Sequence, residues 1–193
     1  MKKIVVLLII LLGTNSCELW RPEKVVETNT GQNVLGFTLN GNYISYYAGL
    51  GKGELIRNHV FGYYNDTDST FEITASLYNS IWKELTIHIP ANNIIVGEST
   101  EDVSFNLEYT YSLTHDPNGN GSYTENKFVE NITGEAMIRY WNKDLKIIAG
   151  NFSFSGTAPQ NNDTVIQVLA TDGLFDINYH CCPVKVPDDY YKV

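Results

Sequence analysis

Apolar and polar residues alternate along most of this chain with a period of two. The cleanest run sets Phe105, Leu107, Tyr109, Tyr111 and Leu113 against Ser104, Asn106, Glu108, Thr110 and Ser112. Successive side chains of an extended strand point to opposite faces, so such a run predicts a strand with one face buried. The same pattern places Phe71, Ile73, Ala75 and Leu77 against Glu72, Thr74 and Ser76, and Leu85, Ile87 and Ile89 against Thr86 and His88. Pro90 closes the latter strand, because it has no N–H to give a ladder. Ile132, Ala136, Ile138 and Tyr140 form a further apolar phase, followed by a turn at Trp141 to Asp144. Near the start, Leu35, Phe37 and Leu39 run into Asn40-Gly41, a two-residue hairpin signal, with Tyr43 to Tyr47 as the return strand. Val60 to Tyr64 is strand-like and ends at Asn65-Asp66-Thr67-Asp68, while Ala48 to Gly53 and Asp116 to Gly121 read as loops.

The stretch 145–179 is the best patterned. Ile148, Phe152 and Phe154 share a face, and the adjacent pair Ile147-Ile148 predicts a change of phase, most simply a β-bulge near Ala149-Gly150. Gly156 to Asp163 is rich in turn formers and is predicted as an exposed hairpin loop. Val165, Ile166, Val168 and Leu169 form an apolar strand, broken at Thr171-Asp172-Gly173 by a tight turn, after which Phe175, Ile177 and Tyr179 resume the alternation. No stretch carries a convincing helical period. About eight to ten short strands joined by short turns predict an all-β domain, an antiparallel meander forming a β-sandwich or a partly open β-barrel.

The N-terminus has a different character. Met1-Lys2-Lys3 is basic, Ile4 to Leu12 is uninterruptedly apolar, and Gly13 to Ser16 lead to Cys17. The apolar run is far shorter than the ~20 residues a spanning helix needs, so it is predicted as a cleaved signal peptide. A cysteine directly after it resembles a bacterial lipobox, with Thr14 in place of the usual aliphatic residue. That resemblance implies lipidation at Cys17 and an outer-membrane lipoprotein facing the periplasm or the exterior. Two or more acyl chains suffice for stable attachment. The expected organisation is signal peptide 1–16, lipidated flexible tether 17–33, β domain 34–180 and C-terminal tail 181–193. Fully extended, the tether would reach roughly 55 Å at about 3.4 Å per residue.

Two further motifs carry a family resemblance. Gly150, Phe152 and Phe154 in a GxFxF strand, closed by Thr171-Asp172-Gly173-Leu174-Phe175-Asp176, and the opening Gly36-Phe37-Thr38-Leu39-Asn40-Gly41, resemble a Bacteroidetes-type family of small all-β lipoproteins of unknown function. Leu174 stands where that family commonly carries a basic residue. The resemblance implies envelope location and a β fold, and no activity. Asp68-Ser69-Thr70 and Asp163-Thr164-Val165 likewise resemble O-glycosylation acceptors of such bacteria, at Ser69 and Thr164.

Charge narrows the partners. The formal net charge is −9, and loss of Lys2 and Lys3 with a signal that holds no acidic residue takes it to −11. That balance argues against nucleic acid and against docking on anionic lipid, leaving the acyl anchor as the membrane contact. Besides Cys17 the only cysteines are Cys181 and Cys182, which form either a vicinal disulfide or two thiols; a metal site there would need His180 and one more ligand.

Candidate chemistry is sparse. His59, His88, His115 and His180 are scattered without HxH or HExxH spacing, and no GxSxG occurs. No catalytic residue, metal or cofactor is predicted. The paired tyrosines Tyr46-Tyr47 and Tyr63-Tyr64 offer ligand-facing stacking surfaces, although on a strand one of each pair belongs in the core. Three functions remain: a non-enzymatic binding or accessory module for a glycan, small ligand or envelope protein; a hydrolase built on loop carboxylates Asp66, Asp68 and Asp172; and a structural subunit of an outer-membrane complex.

Overall fold

A computed structural model describes residues 24–47, 60–76, 82–113, 123–160 and 164–179. The expected signal peptide, Cys17, the 48–53 and 116–121 loops and the 181–193 tail lie outside them. Eleven strands are described: β1 (Val34–Leu39), β2 (Asn42–Tyr47), β3 (Val60–Asn65), β4 (Thr70–Ser76), β5 (Trp82–Pro90), β6 (Ser99–Thr100), β7 (Ser104–Leu113), β8 (Tyr123–Phe128), β9 (Glu130–Asn142), β10 (Ile147–Pro159) and β11 (Val165–Asn178). One turn of 3-10 helix, Ala91–Asn93, follows β5.

The strands form two antiparallel sheets, a six-stranded one in the order β2-β1-β11-β10-β9-β6 and a five-stranded one in the order β3-β4-β5-β7-β8. Each keeps two edge strands, so the domain is a sandwich and not a closed barrel. The alternating apolar residues meet between the sheets. Leu35, Phe37, Phe175 and Ile177 face Ile73, Leu85, Ile87 and Leu107, all with at most 1% of their surface exposed. Aromatic rings knit the two layers: Phe105 from one sheet lies 4.9 Å from Phe154 and 6.1 Å from Phe152 of the other. At the far end Phe71 meets Tyr64, Trp141 and Tyr179 edge-on or tilted at 4.8–5.3 Å. Such pairs add about 0.5–1.5 kcal/mol beyond their burial.

The β1–β2 hairpin closes as Asn40-Gly41 predicts, with both residues at positive φ (48° and 81°). Elsewhere the pairing departs from the predicted pattern. Thr171-Asp172-Gly173 is no turn: β11 runs straight through it, with Thr171 and Asp172 together opposite Ser153 in a bulge and Asp172 at φ 53°. The bulge exchanges phases, so Val168 and Ala170 face inward before it and Gly173, Phe175 and Ile177 after it. A Cβ on Gly173 would meet the Phe152 ring at 2.7 Å, which is why the ring can lie flat against this backbone. Gly156 to Pro159 belong to β10 and not to a loop, and Ala158 is buried. The expected register shift at Ala149/Gly150 is present, but its extra residue is Arg139 on β9. That bulge turns Trp141 inward in place of Tyr140, which pairs with Ala149 on the outer face.

Residues 24–33, expected as flexible tether, are laid across the outer face of the six-stranded sheet as a strap. Asp176 holds them. Its side chain, 0% exposed, accepts hydrogen bonds from the Thr30 and Gly31 amides at 3.0 and 2.8 Å and from the Thr28 hydroxyl. The Asn178 amide donates to Asn33 Oδ1 at 2.8 Å, the Val25 amide donates to the Tyr43 hydroxyl at 2.6 Å, and Glu27 lies 3.0 Å from Arg139 Nε. Val34, Ile147 and Ala149 are therefore buried although they point away from the core. The pair Ile147-Ile148 is apolar because both faces of β10 are covered there.

Asp176→Ala strands two backbone donors and should lower unfolding free energy by about 3 kcal/mol, read as the urea midpoint. Phe37→Ala opens a cavity between the sheets and should cost about 3–5 kcal/mol in the same measurement.

Candidate functional site

The strap covers one half of the outer face of the six-stranded sheet. The other half is a groove. Its volume is about 590 Å3, and its lining comes from β9 (Thr133, Glu135), β10 (Ser153, Ser155), β11 (Leu169, Thr171) and Glu101 after β6. Cavities of about 300–1,000 Å3 suit small ligands.

Two bulges shape it. Asp172 bulges β11 opposite Ser153, and Asn131, at φ 53°, lies in a second register shift of β9 against β10 between Ser155 and Thr157. Bulges increase local twist, and these two bracket the concave stretch. Gly134 and Gly156 keep the strands close: a Cβ on Gly134 would meet Phe154 Cβ at 2.6 Å, and one on Gly156 would meet the Glu130 carbonyl oxygen at 3.0 Å. In register, Glu135 pairs with Ser153, Thr133 with Ser155, and Ser155 with Leu169. The surface therefore runs from carboxylates through hydroxyls to an apolar side chain that is 53% exposed.

These polar groups are hardly engaged with one another. Among the described residues the side chains of Glu101, Glu135 and Ser153 make no hydrogen bond or ion pair. Thr133 Oγ1 and Ser155 Oγ stand 3.5 Å apart, and Thr171 Oγ1 reaches Asp172 at 3.3 Å. Among the described residues no histidine stands beside Ser153 or Ser155: His88, the one histidine among them, sits on the outer face of the other sheet. No set of three metal-ligating side chains occurs among the described residues. The groove can exchange hydrogen bonds with a hydroxylated ligand.

The outer face of the five-stranded sheet is organised differently. Cross-strand register aligns Tyr63, Glu72, His88 and Ser104 in one row and Ser76, Glu84, Glu108 and Phe128 in another. The Tyr63 hydroxyl donates to Glu72 Oε2 at 2.6 Å, and His88 Nδ1 lies 3.6 Å from the same oxygen. The bond to Glu72, with some burial and the charges of Glu72 and Asp68, pushes the Tyr63 phenol up to about 12. Half-burial, with repulsion from Glu108 and Glu72, raises the Glu84 carboxyl. Between the rows the buried Thr74 and Thr86 hydroxyls face each other at 3.4 Å.

Of the tyrosines expected to face a ligand, Tyr63 alone is shown on an outer surface. Tyr64 lies 4.8 Å from Phe71, and Tyr46 packs against the core, where burial raises its phenol. Tyr47 pairs with Val34 through its backbone, and its side chain lies outside the described residues. Cys17, Cys181 and Cys182 lie outside them too.

The loop carboxylates do not converge. Asp68 takes the Thr70 amide and the Asn65 side chain within the β3–β4 turn, and Asp66 shares that turn; Asp172 is on the opposite sheet. Glu101, Glu135, Ser153 and Ser155 were not singled out by sequence. The one signal of Glu135, Ser153 and Ser155 was a place on the polar phase, shared with every solvated strand residue, and Glu101, which lies between β6 and β7, had none. No protein-family model, curated protein or solved structure matches this chain.

Glu84 is harder to ionise in the folded chain than in the unfolded one. Folding therefore loses stability as pH rises from the ordinary carboxylate range through its raised value. Because Glu84 is half exposed, screening reduces the effect, and Glu84→Gln should stabilise by about 0.5 kcal/mol at pH 7 and by nothing at pH 3. Urea midpoints at the two pH values check this. In Glu72→Gln the Tyr63 phenol should titrate back toward the ordinary tyrosine range, read by NMR of labelled tyrosine.

Proposed function

We propose that this chain is an envelope lipoprotein, anchored through Cys17, whose sandwich is a non-enzymatic binding module. The groove across β9, β10 and β11 is its site, and a glycan segment is its ligand. The observation that carries this reading is the group of side chains left without a partner among the described residues, the carboxylates of Glu101 and Glu135 and the Ser153 hydroxyl, with Leu169 beside them. Carboxylates accept hydrogen bonds from vicinal sugar hydroxyls, serine and threonine both donate and accept, and a leucine packs on the apolar face of a pyranose. Two carboxylates in the groove and the acidic chain disfavour phosphorylated or sulfated ligands. The reading draws its location from the Met1–Cys17 pattern and the resemblance to Bacteroidetes-type lipoproteins.

A hydrolase built on Asp66, Asp68 and Asp172 lacks support, since these residues sit on different sheets. The strap and groove likewise favour a binding module over a purely structural subunit.

The test is a thermal-shift titration of residues 18–193 with neutral oligosaccharides, beside Ser153→Phe, whose ring fills the groove. A rise in Tm for the parent chain that Ser153→Phe abolishes supports the reading. An equal rise in both chains would place the ligand elsewhere, and new reducing ends in the incubated sugar would make the protein an enzyme.

A further inference from the structure

The strap changes what the lipid anchor does, an inference that rests on the reading of Cys17 as the acylated residue. A free tether would let the domain wander tens of ångströms from the bilayer. The strap instead fastens the chain from Val25 onward: Val25 to Tyr43, Glu27 to Arg139, and Thr28, Thr30 and Gly31 to the buried Asp176. The covalent path from Cys17 to Lys24 can then span at most ~24 Å at about 3.4 Å per residue.

The point of departure lies beside the groove. The Lys24 ammonium stands 5.9 Å from the centre of the Tyr43 ring on β2. Tyr43 pairs with Thr38 on β1, and Thr38 pairs with Thr171 on β11, a residue of the groove wall. Two strand spacings separate them, ~10 Å at about 4.8 Å each. Strap and groove share one outer face, so a leash of at most ~24 Å draws that face toward the bilayer.

We propose that the strap holds the groove at the membrane surface, where it binds the uncharged sugar headgroup of a glycolipid in preference to the same sugar free in solution. The carboxylates of Glu101 and Glu135 face that surface, which selects a headgroup without phosphate. Tethering raises the effective concentration of a membrane-borne ligand without any new contact, provided the leash reaches.

The experiment uses the full acylated chain in phosphatidylcholine vesicles containing digalactosyl diacylglycerol. A fluorophore on a genetically encoded azide at Gln167, beside the groove, reports energy transfer to a rhodamine-labelled lipid. Efficient transfer is expected, falling at least twofold when a twenty-residue Gly-Ser segment is inserted between residues 23 and 24, and falling also in Asp176→Ala. The parent chain should bind the glycolipid at least tenfold more tightly than free digalactose, and the insertion should erase most of that gain. Acylated protein with transfer indifferent to the insertion, or with equal affinity for free and membrane-borne sugar, overturns this inference and leaves the groove's reading intact. An N-terminal peptide that carries no acyl mass by mass spectrometry overturns the anchoring and this inference together. Loss of both affinities in Ser153→Phe ties the binding to the groove, and their survival overturns it.

Discussion

The arrangement of this domain turns on one buried carboxylate. Asp176 sits on the outer face of β11, where an ordinary strand residue would be solvated, yet none of its surface is exposed. A charge so placed is tolerated only if its oxygens are hydrogen-bonded. The strap supplies two amides and a hydroxyl, and in return it gains the anchorage a short polar segment cannot provide by apolar burial. Carboxylate and strap are thus mutually dependent. That dependence fixes where the chain enters β1, which sheet face is covered, and which half of the face stays open.

The open half owes its shape to irregularities of pairing. An ideal sheet with the same residues would present Ser153, Ser155, Thr133 and Glu135 on a gently twisted plane. Bulges at Asn131 and Asp172 bend the flanking strands, and Gly134 and Gly156 let the strands approach. The β11 bulge also reverses the inward phase midway, which is how one strand contributes Ala170 to the core at one end and Phe175 at the other. The same device therefore closes the core and opens the surface.

The core was legible in the sequence because a one-sided sheet writes its burial as alternation. Leu35, Phe37, Ile73, Leu85, Ile87 and Leu107 could be placed inward from their period alone. The bulges were not legible at the right positions, because a bulge is a property of two strands and its extra residue can fall on either. Ile147-Ile148 signalled one correctly near Ala149, but Arg139 on the neighbouring strand carries it. The strap was hidden for a different reason. Its contacts join residues about 145 positions apart through a side chain that looks like any polar-phase aspartate. The tyrosine pairs show what alternation does settle: Tyr64 went inward and Tyr63 outward.

Between the two outer faces, the state of the polar groups decides which invites a ligand. On the five-stranded sheet Tyr63 already donates to Glu72, His88 stands against the same oxygen, and Thr74 meets Thr86. A ligand there would exchange made hydrogen bonds for new ones, and such exchanges gain little. In the groove Glu101, Glu135 and Ser153 have only water to give up. An apolar neighbour, Leu169, adds a contact that water cannot replace. Around Tyr63 the five-stranded sheet therefore offers a hydroxylated ligand less than the groove does, although that row carries more of the side chains that draw the eye in a sequence.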